Sequence, residues 1–299
     1  MISIVIPLYN KERSIGKTIR TVLNQSCQDY EVVIVNDGST DGSVEVVKSF
    51  SDSRIRLVNQ PNAGVSAARN RGVEESRGEI IAFLDADDEW DVDYLCVMSD
   101  LVKDYPHCGV FASNYKFRQP DGSQKSTIIN RLPFSGHTGE LTNYFEVASC
   151  SHPPLWTSAV MVRKSAIKSV GGFPLGIKSG EDLLTWARLA ARYRIAYSTL
   201  PAATFVVEGY DVKEKPKRIP PETDYVGMNL EELYKSRPAP GLKRYVAHWH
   251  KMRANIYMRL RMRRKSIREC CIGLRYNPVN VKLYAFMVLN MLPSRIQPF

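Results

Sequence analysis

Two acidic stretches about ninety-five residues apart hold the side chains of this sequence that could do chemistry. The first, Asp85-Ala86-Asp87-Asp88, follows an apolar run over 79–84 that reads as a strand. Side chains at i and i+2 of a strand share one side, and two carboxylates placed so can hold a hard divalent cation that keeps its waters and bridges phosphate oxygens. One acid after a strand is explained by helix capping, but Asp85, Asp87, Asp88 and Glu89 put four acids in five positions, which exceeds that need. The second stretch, Gly180-Glu181-Asp182, opens a helical segment. A carboxylate there can act as a general base, or can simply be favoured by the helix dipole, and spacing alone leaves both open. Together the two stretches imply an enzyme that moves a group off a diphosphate.

Periodicity shows what must position these groups. Residues 2–7 are a short buried run rich in β-branched side chains, and 14–24 carry Ile15, Ile19, Val22 and Leu23 at helical spacing. Strands over 31–36, 55–59 and 79–84 alternate with helices over 44–50 and 65–75, and turns such as Asp37-Gly38 and Arg77-Gly78 separate them. This alternation predicts an α/β fold, a Rossmann-like and mostly parallel sheet with helices on both faces. Ligands of such sheets bind beyond the carboxyl ends of the strands, where Asp37 and Asp85 both stand, although Asp37 alone could close an Asx turn. The segment Asn62 to Gly72 starts a helix with free N–H groups, and Arg69 or Arg71 could meet a phosphate there or remain solvated. The loop Pro7-Leu8-Tyr9-Asn10 has no glycine and no G-x-x-x-x-G-K-[ST] segment occurs, which argues against dehydrogenases and P-loop NTPases.

After Asp88 the pattern loosens. A helix over 93–104, a strand over 109–117 and a turn at Pro120-Asp121-Gly122 are expected, and 126–154 reads as a loop-rich insertion. A strand over 158–163, a short helix over 164–169 and a helix over 183–192 follow. The Pro-rich stretch 213–222 reads as a linker, and helices are expected over 222–235, over 242–275 with a break near Lys265, and over 279–292.

The chain of 299 residues has a formal charge of +10, and 243–275 hold eleven Lys and Arg against the single acid Glu269, so the remainder is balanced. Within 242–275, Tyr245, Trp249, Met252, Ile256 and Leu260 form an apolar stripe, with Arg253, Arg259, Arg261, Arg263, Arg264 and Lys265 largely off it. Such a helix can lie on an anionic membrane or pack its stripe on the rest of the protein. About five charges at a bilayer, at ~1 kcal/mol each, would contribute ~5 kcal/mol. A non-catalytic protein using these helices on nucleic acid is the alternative, but no recognition motif supports it and no nucleic acid is expected. No signal peptide is visible, and no apolar run reaches the ~18 residues that span a bilayer, so a cytoplasmic protein peripheral to the inner face of the membrane is expected. The six cysteines show neither CxxC nor zinc spacing and read as reduced packing residues. His137 and His152 read as structural or solvated, and Trp156 as either a core residue or a platform for a sugar.

The segments Val5 to Asn10, Val35 to Asp41, Asn62 to Gly72, Ala82 to Asp88 and Gly180-Glu181-Asp182, in this order and spacing, resemble glycosyltransferase family 2 over about residues 1 to 207. The resemblance implies a GT-A fold, a nucleotide-sugar donor, usually UDP-linked, a divalent cation such as Mn²⁺ or Mg²⁺, and inversion at the anomeric carbon. It places uridine contacts on Pro7, Tyr9, Glu12 and Asp37, and an arginine near the nucleotide at Arg69. Asp85 would meet ribose or metal through water, with Ala86 beside it in the donor site, and Asp87 would ligate the metal. Asp182 would be the base and Glu181 would steer acceptor or base. The implied division is a catalytic domain over 1–212, with the nucleotide-sugar in 1–90 and the acceptor side and base in 91–212, then a linker and basic helices over 213–299. A lipid-linked or oligosaccharide acceptor of bacterial surface polysaccharide synthesis is the implied partner. Asn36 departs from the further aspartate many members carry, and His152-Pro153-Pro154-Leu155-Trp156 matches no family motif.

Overall fold

The computed structural model describes residues 1–207 and 219–292. In chain order the elements are β1 (Ile2–Leu8), α1 (Ile15–Leu23), β2 (Tyr30–Asp37), α2 (Ser43–Lys48), β3 (Ile55–Gln60), α3 (Val65–Glu75), β4 (Ile80–Phe83), β5 (Glu89–Trp90) and α4 (Tyr94–Asp104). There follow β6 (Val110–Arg118), β7 (Gln124–Ser126), β8 (Thr138–Glu140), α5 (Tyr144–Cys150), β9 (Val160–Arg163), α6 (Lys164–Ser169), α7 (Glu181–Ala190) and β10 (Ile195–Val206). The last four are α8 (Tyr225–Ser236), α9 (Leu242–Arg259), α10 (Arg263–Tyr276) and α11 (Val281–Met291). By internal contacts the chain forms two compact units, one of residues 1–147 and 151–208, the other of 148–150 and 209–299.

The first unit is an α/β sheet in the order β3-β2-β1-β4-β9-β6-β10-β5, with β7 and β8 beside β6 and β10. The half formed by β3, β2, β1 and β4 is parallel, as strands joined by helices require. Beyond β4 the sheet is mixed, because β9 runs antiparallel to both β4 and β6. Ile4, Ile6, Val33 and Val35 are fully buried, which explains the continuous rather than alternating apolar runs of β1 and β2. The turn at Pro120-Asp121-Gly122 joins β6 to β7 as expected. β10 has no counterpart among the expected elements, and the region 126–154 is not wholly loop, since it contains β8 and α5.

The second unit is helical. The break between α9 and α10 comes at 260–262, ahead of Lys265. The linker expected over 213–222 lies through Arg218 outside the described residues. Of the stripe that could lie on a membrane or pack, Tyr245 at 2% and Trp249 at 9% exposure are buried and Met252, Ile256 and Leu260 are half-buried; Trp249 donates its indole N–H to Asp224, which also caps α8 through Gly227 N–H. Arg253, expected off the stripe, is buried because Glu269 and Asp224 receive its Nε at 2.9 and 3.2 Å. His250 Nδ1 meets the same Glu269 at 2.7 Å. Burial works against a charged Glu269, but His250 and Arg253 outweigh it and hold that carboxyl below its ordinary range.

Candidate active site

Parallel pairing puts Leu8 opposite Asn36 and Val5 opposite Phe83, so the carboxyl ends of β1, β2 and β4 form one edge. Pro7, Asp37 and Asp85 lie along it. Asp37 is 2% exposed and accepts hydrogen bonds from Gln60 Nε2 at 2.7 Å, Ala63 N–H at 2.9 Å and Gly64 N–H at 2.8 Å. It therefore fixes the start of α3. Glu12 accepts from Gly42 N–H at 2.8 Å, and Asp41 accepts from Glu12 N–H at 3.1 Å, which laces together the loops after β1 and β2. Tyr9 stands exposed beside them.

Arg69 joins the two acidic stretches. It is 4% exposed, and its guanidinium donates to Asp85 Oδ1 at 2.7 Å and to Glu181 Oε1 at 3.2 Å while lying over the Phe173 ring. Burial opposes its charge, but Asp85, Glu181 and Asp182 outweigh that and raise its pKa. Arg71 instead points outward to Glu75 at 2.7 Å.

The start of α7 is held by rings and one amide. Trp186 meets Phe173 edge-on at 5.5 Å, and Phe173 meets Phe83 of β4 at 5.1 Å. Asn70 clamps the Phe173 backbone, donating to its carbonyl and accepting from its N–H, both at 2.8 Å. Gly180, with φ 83°, turns the chain into α7 in a conformation that favours glycine. Asp182 is half-buried there, and burial first and the Glu181 charge second push its pKa up to about 6, with Arg69 pulling the other way. A carboxylate shifted toward neutral pH is suited to take a proton from a hydroxyl.

The four acids after β4 have different surroundings. Asp88 is 1% exposed, accepts from Ser158 Oγ at 2.5 Å and from Val206 N–H of β10 at 3.2 Å, and has its pKa raised by burial and by the charges of Asp85 and Asp87. It ties the loop to the sheet. Glu89 pairs with Arg118 at 2.5 Å and Lys17 at 2.7 Å. Asp85 and Asp87 keep about a quarter of their side chains exposed, and Asp87 draws the Lys11 ammonium to 2.5 Å. Two part-exposed carboxylates, each already holding a cationic group, Arg69 on Asp85 and Lys11 on Asp87, offer the oxygen donors that a hard divalent cation takes.

Comparison with known proteins shows the family and the fold. Glycosyl transferase family 2 matches residues 3–170, more than half of the chain. The chain belongs to that family. Among its relatives is the glycosyltransferase GlyA of Streptococcus pneumoniae, 37% identical over 123 residues, which are 40% of this chain and 18% of GlyA. A candidate teichuronic acid biosynthesis glycosyltransferase, TuaG of Bacillus subtilis, is 28% identical over 200 residues, 66% of this chain and 75% of TuaG. The match spans well under half the length of the first relatives, from 18% to 40%. The fold is that of S. aureus TarS 1–349, solved in complex with UDP-GlcNAc, with a TM-score of 0.64 at 18% identity over 96% of this chain and 84% of that one.

In this family 2 member the structure brings Arg69, Asp85, Glu181 and Asp182 together and places Asp37, Pro7 and Asp85 on one edge. Sequence reasoning overlooked Ser158, whose Oγ donates to Asp88 and accepts from Asp85 N–H at 3.1 Å. Asn70, within Asn62 to Gly72, and Phe173, between Gly172 and Pro174, carry no chemical signal of their own in the sequence. Trp156 is stacked on Tyr115 at 5.4 Å and meets Phe205 edge-on at 4.9 Å, so most of its ring is taken up by packing. His152 accepts from Ile128 N–H at 3.0 Å and His137 offers its carbonyl to Thr199, in keeping with structural roles.

Proposed function

We propose that this protein is an inverting glycosyltransferase that uses a UDP-sugar and a divalent cation, Mn²⁺ or Mg²⁺, to extend a lipid-linked or oligosaccharide acceptor of bacterial surface polysaccharide at the inner face of the membrane. The observation that carries the reading is the Arg69 bridge, which joins the acidic loop after β4 to the Glu-Asp start of α7. The relationship to TuaG supports the polysaccharide setting, and the UDP-GlcNAc complex of TarS supports a nucleotide-sugar donor.

In this reading Pro7, Tyr9, Glu12 and Asp37 receive the uridine, and Asp85 with Ala86 lines the ribose and diphosphate. Asp87, with Asp85 directly or through water, would hold the cation, which when bound would supply several kcal/mol of charge stabilisation to the leaving diphosphate. The acceptor oxygen attacks the anomeric carbon from the face opposite the diphosphate. The bond from that carbon to the diphosphate oxygen breaks, and the oxygen keeps the electron pair. Asp182 takes the acceptor's hydroxyl proton, while Glu181, held by Arg69, keeps the acceptor and base in register. Lys11 would exchange its hold on Asp87 for the diphosphate once the cation arrives, because both compete for the same carboxylate.

Calorimetry with UDP tests the donor and metal parts together. UDP should bind wild type only with Mn²⁺ or Mg²⁺ present, and Asp87→Ala should abolish that dependence because an oxygen ligand is lost. Equal affinity with and without metal would refute the assignment.

A further inference from the structure

The last described helix of this protein is apolar on its outer face as well as its inner one. The amide of Asn290 is 3% exposed and donates to Ser266 Oγ at 2.9 Å, whereas Val281, Tyr284, Val288 and Met291 stand 76, 49, 59 and 68% exposed. At 100° per residue these four and the exposed Ala285 fall within one continuous arc of α11. The opposite face is occupied: Leu283, Phe286 and Met287 pack with Ala254 and Cys270 of α9 and α10. A helix whose inner side is already filled by Leu283, Phe286 and Met287 and whose outer side is Val, Tyr, Ala, Val and Met leaves an apolar face to a partner. Val279, 78% exposed, extends the same patch by one turn. Single exposed apolar residues are ordinary on a protein surface, but five large ones within thirteen residues are not.

Charge identifies the partner. The helices that carry α11 lie in the stretch with eleven Lys and Arg against one acid. Lys282 is exposed next to Val281 at one end of the arc. At the other end Arg263 donates to the Leu292 carbonyl at 2.9 Å, which sets a guanidinium beside Met291. An apolar strip with a cation at each end is complementary to a surface that offers acyl chains behind anionic headgroups. A second copy of the chain would instead bring like charges together around the strip. α11 has 11 residues and is about 16 Å long, against a hydrocarbon core of about 30 Å, so it can lie in the interface but not cross it.

We infer that α11 is the membrane-inserting element of this enzyme, docking its Val281–Tyr284–Val288–Met291 face into an anionic lipid surface while the surrounding Lys and Arg side chains hold the headgroups. This rests on the proposed action at a membrane face and moves the inserting surface from the α9 stripe, whose Tyr245 and Trp249 are buried, to α11.

The test is sedimentation of the full chain with vesicles of neutral phosphatidylcholine, alone and mixed with phosphatidylglycerol. Wild type should bind only the anionic vesicles. The triple variant Val281→Gln, Val288→Gln, Met291→Gln keeps good helix formers on exposed positions, and it should lose at least tenfold in binding with its thermal midpoint and UDP affinity unchanged. If wild type binds and the variant binds equally well, α11 is not the inserting element, although action at a membrane face survives. If wild type binds neither vesicle, both readings fail. A concentration-dependent dimer that the triple variant abolishes would assign the face to a second copy and overturn the lipid proposal.

Discussion

At the scale of single residues, the environment separates acids that look alike in the sequence. Asp182 is lifted to about 6 by burial and by Glu181, so below that pH it is increasingly protonated and cannot accept the acceptor's proton. The rate should therefore fall about tenfold per pH unit on the acid side and level off above it. Asp182→Asn should lower turnover ~10²-fold or more, remove this acid limb, and leave donor affinity within a few-fold. Initial rates from pH 4.5 to 8.5 on both proteins check it, and an unchanged limb in the variant would remove Asp182 as the titrating base. Asp88 gives the opposite expectation. Because Asp88 is buried against Ser158 and the Val206 N–H, away from the open edge, Asp88→Asn, close to it in size, should retain metal-dependent UDP binding within about threefold of wild type. Calorimetry beside Asp87→Ala gives the contrast directly.

At the scale of elements, the site depends on how closely α3 lies against the sheet, because α3 carries both Arg69 and Asn70. A Cβ added at Gly72 would lie 2.2 Å from Val5 Cγ1, a separation no side chain tolerates. Ala in a helix interior is favoured over Gly by ~1 kcal/mol, but overpacking a filled core costs ~1–3 kcal/mol, so the clash should win. Gly72→Ala is expected to lower the thermal midpoint, and adding Val5→Ala, which clears the space, should recover part of the loss. A midpoint at or above wild type in the single variant would show that α3 is free to move off β1.

At the scale of the whole molecule, charge and burial are distributed differently in the two units. The first unit buries acids and one arginine to build a site. The second carries the formal excess of charge, but keeps part of it inside: Arg253, 4% exposed, is held by Glu269 and Asp224. Glu269→Ala would leave Arg253 and His250 without their shared carboxylate, and breaking a buried pair in this way costs ~3–5 kcal/mol. Calorimetric melting should show a strongly lowered transition for the helical unit, with UDP affinity unchanged. A melting profile identical to wild type would mean that Asp224 and water replace Glu269 without loss.

The alternating elements of the first ninety residues, the family, and the positions where charge concentrates are legible in the residues alone. Those features follow from near-neighbour periodicity, turn residues and motif spacing, which fold back on the chain within a few residues. Tertiary structure decided the remainder. β10 escaped notice because Pro201 and two register shifts between Ser198 and Ala203 break the alternation that marks a strand, and its identity rests on pairing with β6 far away in sequence. Spacing could not choose between Arg69 and Arg71, two residues apart on one helix, since the choice depends on Glu181, 112 residues away from Arg69. The tail gives the same lesson. Its charges were plain in the sequence, but which apolar face was left over could be known only after α9 had turned Tyr245 and Trp249 to packing and α11 had buried Asn290, because burial is a property of neighbours brought together by the fold.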